Sequence, residues 1–119
     1  MNNSANVAAI AVLFAVTATA GATTIPYCND QIDVLQKQTA SAPFKNQKDE
    51  DGEVAKLMDA KLKLNVAKLG DAKQKIADYV TKLNQVNSQG KFDDPTGQTY
   101  MTLSNGAVGV TSCIDNIGK

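Results

Sequence analysis

Between residues 53 and 86, apolar side chains recur at alternating steps of three and four: Ala55, Met58, Leu62, Leu69, Ala72, Ile76, Tyr79, Leu83 and Val86, with Asn65 as the one polar member. That spacing is the pattern of a helical seam pressed against a core. On such a seam Asn65 is expected to set register or mark an edge rather than to bind a ligand.

The same stretch carries an echo. Residues 55–64 (AKLMDAKLKL) and 67–76 (AKLGDAKQKI) agree at seven of ten positions. A shift of twelve residues turns the face of an unbroken helix by about 120°, so the echoed residues are equivalent only in two separate helices. Gly70-Asp71 reads as a stop followed by a cap, which predicts helices over 53–69 and 71–87. A single long helix is the alternative, because the seam passes through Gly70 in register and a loop of one or two residues is short for a reversal. The first half has apolar residues around most of its circumference (Val54, Leu57, Met58, Leu62, Leu64, Val66, Leu69) and is expected to be the most buried helix. The second has a narrower stripe and one wet side. Asp59/Lys63, Asp71/Lys75 and Asp78/Lys82 stand four apart in the order that favours helical ion pairs.

The segments around this centre are also helical in pattern. Cys28, Ile32 and Leu35 predict a first helix over 27–38, ended by Ser41-Ala42-Pro43. The acidic run before Gly52 resembles a calcium loop only superficially. With Gly52 at the sixth position, Gln47 and Met58 occupy the first and twelfth, where carboxylates are required. Those acids are expected at a helix start, complementing its dipole. Residues 87–97 read as a loop in which Asp94 caps a last helix and Pro95 takes its first position. Tyr100, Leu103, Ala107, Val110, Ile114 and Ile117 keep helical spacing, yet Asn105-Gly106 between two Thr/Val-rich runs is a hairpin signal. The helix is preferred. The expected fold is therefore all-α, a small four-helix up-down bundle; three helices plus a C-terminal β-hairpin around Asn105-Gly106 is the alternative.

Residues 7–16 are continuously apolar and lead into small residues, the arrangement of a secretory signal peptide with cleavage after Ala20 or Ala22. Residues 1–22 are thus assigned to export and 23–119 to one helical domain, and the run is too short to leave a transmembrane segment in the mature chain. The expected localisation is secreted and extracellular, or periplasmic in a bacterium. Two cysteines, Cys28 and Cys113, lie near opposite ends of that domain, and in an exported chain they are expected to form a disulfide. A redox or nucleophilic role would need a C-x-x-C partner or a histidine, and the chain has neither.

Composition closes off much chemistry. The chain has no histidine, and its twelve cationic residues, all lysine, balance twelve acidic ones. The commonest general base and zinc ligand are missing, and so is the arginine that reads guanine and phosphate edges. No phosphate-binding glycine loop, nucleophile elbow or metal-spaced cluster is present, so no catalytic, cofactor-binding or metal-ligating residues are assigned, and nucleic acid is not an expected partner. The region 53–87 carries seven lysines against four acids, read as a solvated helical surface rather than a polyanion site. The expectation is a secreted, non-enzymatic interaction protein, effector-, inhibitor- or toxin-like, that binds a protein or cell-surface partner through an exposed helix face. The alternative is an extracellular carrier of a lipid or other apolar small molecule, with Phe44, Met58, Phe92 and Met101 as adaptable lining.

Overall fold

A computed structural model describes residues 22–119. Residues 1–21, which hold nearly all of the expected export segment, lie outside the described residues. Four helices are described: α1 (Ile25–Ala40), α2 (Gln47–Asn65), α3 (Leu69–Ser88) and α4 (Gln98–Asp115). They close into a ring in which each helix touches its two neighbours, α1 against α2 and α4, and α3 against α2 and α4. With short loops between consecutive helices, this is the up-down bundle.

Local chemistry sets most of the helix ends. The Thr24 hydroxyl accepts from the Tyr27 amide at 3.3 Å, and Pro26 lies in the first turn of α1, where its missing donor costs nothing. The Asn46 side chain accepts from the Lys48 amide at 2.9 Å and starts α2, with Asp49 and Glu50 in the first turn beside the positive end of the dipole. Helix α2 thus begins six residues before the expected start. It takes in Gly52 and the whole acidic run.

The break between α2 and α3 falls at residues 66–68, not at Gly70-Asp71, which occupy the first turn of α3. The Ala67 amide bonds to Leu64 O at 2.9 Å and the Lys68 amide to Lys63 O at 2.9 Å, while Ala67 takes φ 60°. This is a Schellman motif with alanine in the left-handed position that glycine usually fills. The end of α3 repeats the motif with the usual residue: Gly90, at φ 67°, bonds to Asn87 O and Lys91 to Val86 O.

The last segment is helix, not hairpin. At Gly106 an added Cβ would stand 2.7 Å from Leu35 Cδ1, so the glycine of the apparent turn signal serves the close approach of α4 to α1. Pro95 lies in the turn before α4 rather than at its first position, and Gly97 at φ 74° precedes the helix. Asp94 does serve the helix start. Its carboxylate accepts from the Thr96 and Thr99 amides and from both hydroxyls, hydrogen bonds that hold it far below the ordinary carboxylate range.

The core is a column of Ile32, Leu35, Leu57, Leu64, Ile76, Tyr79, Leu83, Leu103 and Ile114, all nearly inaccessible. At one end of the bundle the Cys28–Cys113 disulfide joins the start of α1 to the end of α4, with Cα atoms 5.7 Å apart. Beside it, Gly118 N donates to Thr23 O at 3.1 Å. At the other end the α1–α2 and α3–α4 loops pair through Phe44 and Phe92, whose ring centroids are 4.8 Å apart. Among the described residues the ion pairs run between helices rather than along them: Lys61–Asp33, Lys73–Asp115 and Lys82–Asp49. The expected four-apart pairs are not among them.

Two glycines in α4 separate packing from propensity. Gly109 has open space where a Cβ would stand, so Gly109→Ala is expected to stabilise by about 0.5–1 kcal/mol. Gly106→Ala has the same propensity gain but drives a methyl into Leu35, and is expected to lose about 1 kcal/mol net. Ala67→Gly relieves the left-handed alanine and is expected to gain about 0.5 kcal/mol after the added unfolded-state entropy. Urea unfolding of the three oxidised variants measures all three, and an equal response of Gly106 and Gly109 would refute the close-approach account.

Candidate functional site

Helix α2 carries two apolar stripes. One, Leu57, Ala60 and Leu64, is fully buried and supplies this helix's share of the core. The other follows the predicted seam through Ala55, Met58 and Leu62 and is extended by Val66, the C-cap residue next to Asn65. Met58, Leu62 and Val66 are 51%, 61% and 63% exposed, and Ala55 is exposed with them. At steps of three and four these four residues share one side of the helix, opposite the buried stripe. The expectation that this half is the most buried helix is therefore overturned. A single helix in a four-membered ring touches two neighbours, so only one of its two stripes can be used inside.

Polar groups border this apolar ridge on both sides. Toward α1, Lys61 pairs with Asp33, and the Asn29 side-chain Nδ2 donates to Asn65 Oδ1. Asn65 is thus an edge residue tied to the neighbouring helix, as the sequence implied. On the opposite side Lys56 and Lys63, seven residues apart, share one flank of α2, with Asp59 between them and the ridge. Neither lysine is in one of the three ion pairs. On α4, Met101 and Val108 are also exposed, but α2 and α4 are diagonal in the ring and do not touch, so the two surfaces are separate.

The residues expected to line a cavity are not gathered around one. Met58 and Met101 stand on the outside, while Phe44 and Phe92 pack on each other at the loop end. Two recesses among the described residues are open surface grooves, one between α1 and α2 lined by Asp33, Gln36, Lys37, Ala40 and Val54, another beside the disulfide. Among the described residues no three His, Cys, Asp or Glu side chains converge as metal ligands, and no helix is long and apolar enough to cross a membrane.

One buried polar cluster was not foreseen. Glu53 is fully buried and neither carboxylate oxygen has a hydrogen-bond partner. Burial pushes its carboxyl up from 4.5 to about 8, against the pull of Lys56 and Lys82. One turn earlier Asp49 pairs with Lys82 at 2.9 Å, and that hydrogen bond lowers its pKa. Across the interface the Thr39 hydroxyl bonds to Leu35 O at 2.7 Å and to Tyr79 Oη at 2.9 Å. Burial raises the Tyr79 phenol well above its ordinary value, keeping it a neutral donor. The signal for Glu53 was in the sequence: stepping back by four from Leu57 on the buried stripe reaches Glu53, and four more reach Asp49.

Comparison with profiles of known protein families, with curated proteins and with solved structures finds no match to this chain.

The two stripes of α2 are expected to respond oppositely to substitution. Leu57→Ala should cost about 2–5 kcal/mol of folding stability, whereas Leu62→Lys and Val66→Lys should stay within about 0.5 kcal/mol of the parent. Denaturant unfolding distinguishes them, and a large loss from Leu62→Lys would mean the ridge is used inside the fold.

Proposed function

We propose that this is a secreted, non-enzymatic interaction protein that docks a protein partner on the outer face of α2. The observation that carries the reading is the ridge of Ala55, Met58 and Leu62 on α2, continued by Val66 at its C-cap, all exposed along one side. Isolated apolar residues on a surface are ordinary, but a contiguous stripe at helical spacing on a small soluble scaffold marks an interaction face. Its flank favours a particular complement: apolar side chains at the centre, with carboxylates placed to meet Lys56 and Lys63. Methionine in the ridge suits an interface that adapts to its partner. The disulfide supports an oxidising compartment, in keeping with the apolar run at residues 7–16 as an export signal.

A photo-crosslinking side chain at position 62 tests this in the extracellular fluid and on the cell surfaces of the native source. The expected result is a discrete protein adduct, competed by unlabelled parent and lost when Met58→Lys and Val66→Lys are added. The same probe at Gln74, on the exposed face of α3, should give no such adduct. Equal labelling from both positions would overturn the assignment. A lipid-sized adduct retained in native mass spectrometry would favour the carrier alternative instead.

A further inference from the structure

The loop end of the bundle holds a carboxyl group that the interaction surface does not use. Glu53 is in the second turn of α2, sealed from solvent, with both oxygens unpartnered. The groups that face it are few. Its own helix contributes Asp49 and Lys56, and α3 contributes Lys82 and the Tyr79 phenol. On α1 the Thr39 hydroxyl holds the Tyr79 phenol and Leu35 O. Of the cations, Lys82 is committed to Asp49, and Lys91 also acts on Asp49, lowering its pKa. A carboxylate buried without a donor is costly, whereas the neutral acid is tolerated.

We propose that Glu53 is a proton-operated latch. With the carboxyl neutral, α1, α2 and α3 close around it beneath the Asp49–Lys82 pair; loss of the proton introduces a second anion that competes for Lys82 and loosens this end.

The direction of the resulting pH dependence is fixed. Because burial raises Glu53 from 4.5 to about 8, the folded chain keeps a proton that the unfolded chain releases. Its stabilisation is complete below the unfolded value and is lost as pH rises through the folded one, a fall of about a thousand-fold in the folding constant across that window. Asp49 and Asp94 have the opposite sign. Their values are lowered in the fold, so their contribution is present above the ordinary carboxylate range and is lost in stronger acid. The combined contribution of these three groups is therefore greatest in mild acid, near the ordinary pKa of a glutamate, and falls on both sides.

The test uses the oxidised chain with 13C-labelled glutamate and thermal unfolding between pH 4 and 9. The expected results are a Glu53 Cδ titration midpoint near 8, Tyr79 ring resonances that shift with the same midpoint, and an unfolding temperature that drops between pH 5 and 8. Glu53→Gln should flatten that drop and exceed the parent at pH 8. Asp49→Asn frees Lys82 and removes an anion, so it should lower the Glu53 midpoint. A Glu53 carbon titrating in the ordinary carboxylate range overturns the proposal, even if Glu53→Gln fails to fold. So does a Glu53→Gln variant with the parent's slope, or a Glu53 midpoint that ignores Asp49→Asn.

Discussion

The ring of helices has one neighbouring pair, α1 and α4, that no loop connects, and the bundle depends on how that pair is closed. Three of the contacts that close it stand out. Cys28 and Cys113 bond across 85 residues of sequence, Gly118 bonds back to Thr23 beside them, and Gly106 lets α4 lie against Leu35. The disulfide restricts the unfolded chain by roughly 4 kcal/mol in the loop-entropy account, a large share of the stability of so small a domain. Closure of α1 on α4 brings the four inner stripes together, and it also determines which side of α2 is left outside.

The four-helix architecture and the disulfide were legible in the sequence because both rest on local or near-obligatory chemistry. Cys28 and Cys113 are the two cysteines of the chain, and the stripe Ala72, Ile76, Tyr79, Leu83 and Val86 is buried as its spacing implied. The break between α2 and α3 was legible only as a break. Its position was hidden because the turn uses Ala67 where glycine is usual, while the conspicuous glycine, Gly70, stands inside the next helix. The hairpin signal at Asn105-Gly106, set aside in favour of the helix that forms, has a related explanation. Glycine is needed there for contact with another helix, and no reading of adjacent residues reveals a distant Leu35.

Periodicity finds apolar faces but does not say which of them will be covered. On α2 the stripe through Met58 and Leu62 continued the register of the next helix, and so looked like the buried one. The turn at residues 66–68 interrupts the backbone, and the stripes on either side of it occupy different environments. The buried stripe of α2 is shorter and runs at its N-terminal end into Glu53 and Asp49. An acidic run at a helix start is ordinarily a dipole partner facing water, which is why these two were not expected inside. The ion pairs follow the same rule: Asp33, Asp49 and Asp115 meet lysines of other helices, a choice set by the packing rather than by sequence spacing.

The two features left without a structural purpose lie on the same helix and face opposite ways. Glu53 points inward on the line of Leu57 and Leu64, whereas Met58, Leu62 and Val66 point outward. Hydrophobic burial would favour the reverse arrangement, with an apolar residue at 53 and polar ones along the ridge. Neither departure helps the bundle fold. A leucine in place of Glu53 would remove the penalty of an unpartnered carboxyl, and lysines along the ridge would be as well solvated as Lys56 and Lys63. Departures from the folding optimum are concentrated where a protein does something besides fold, and on that ground α2 is the helix on which function is to be sought.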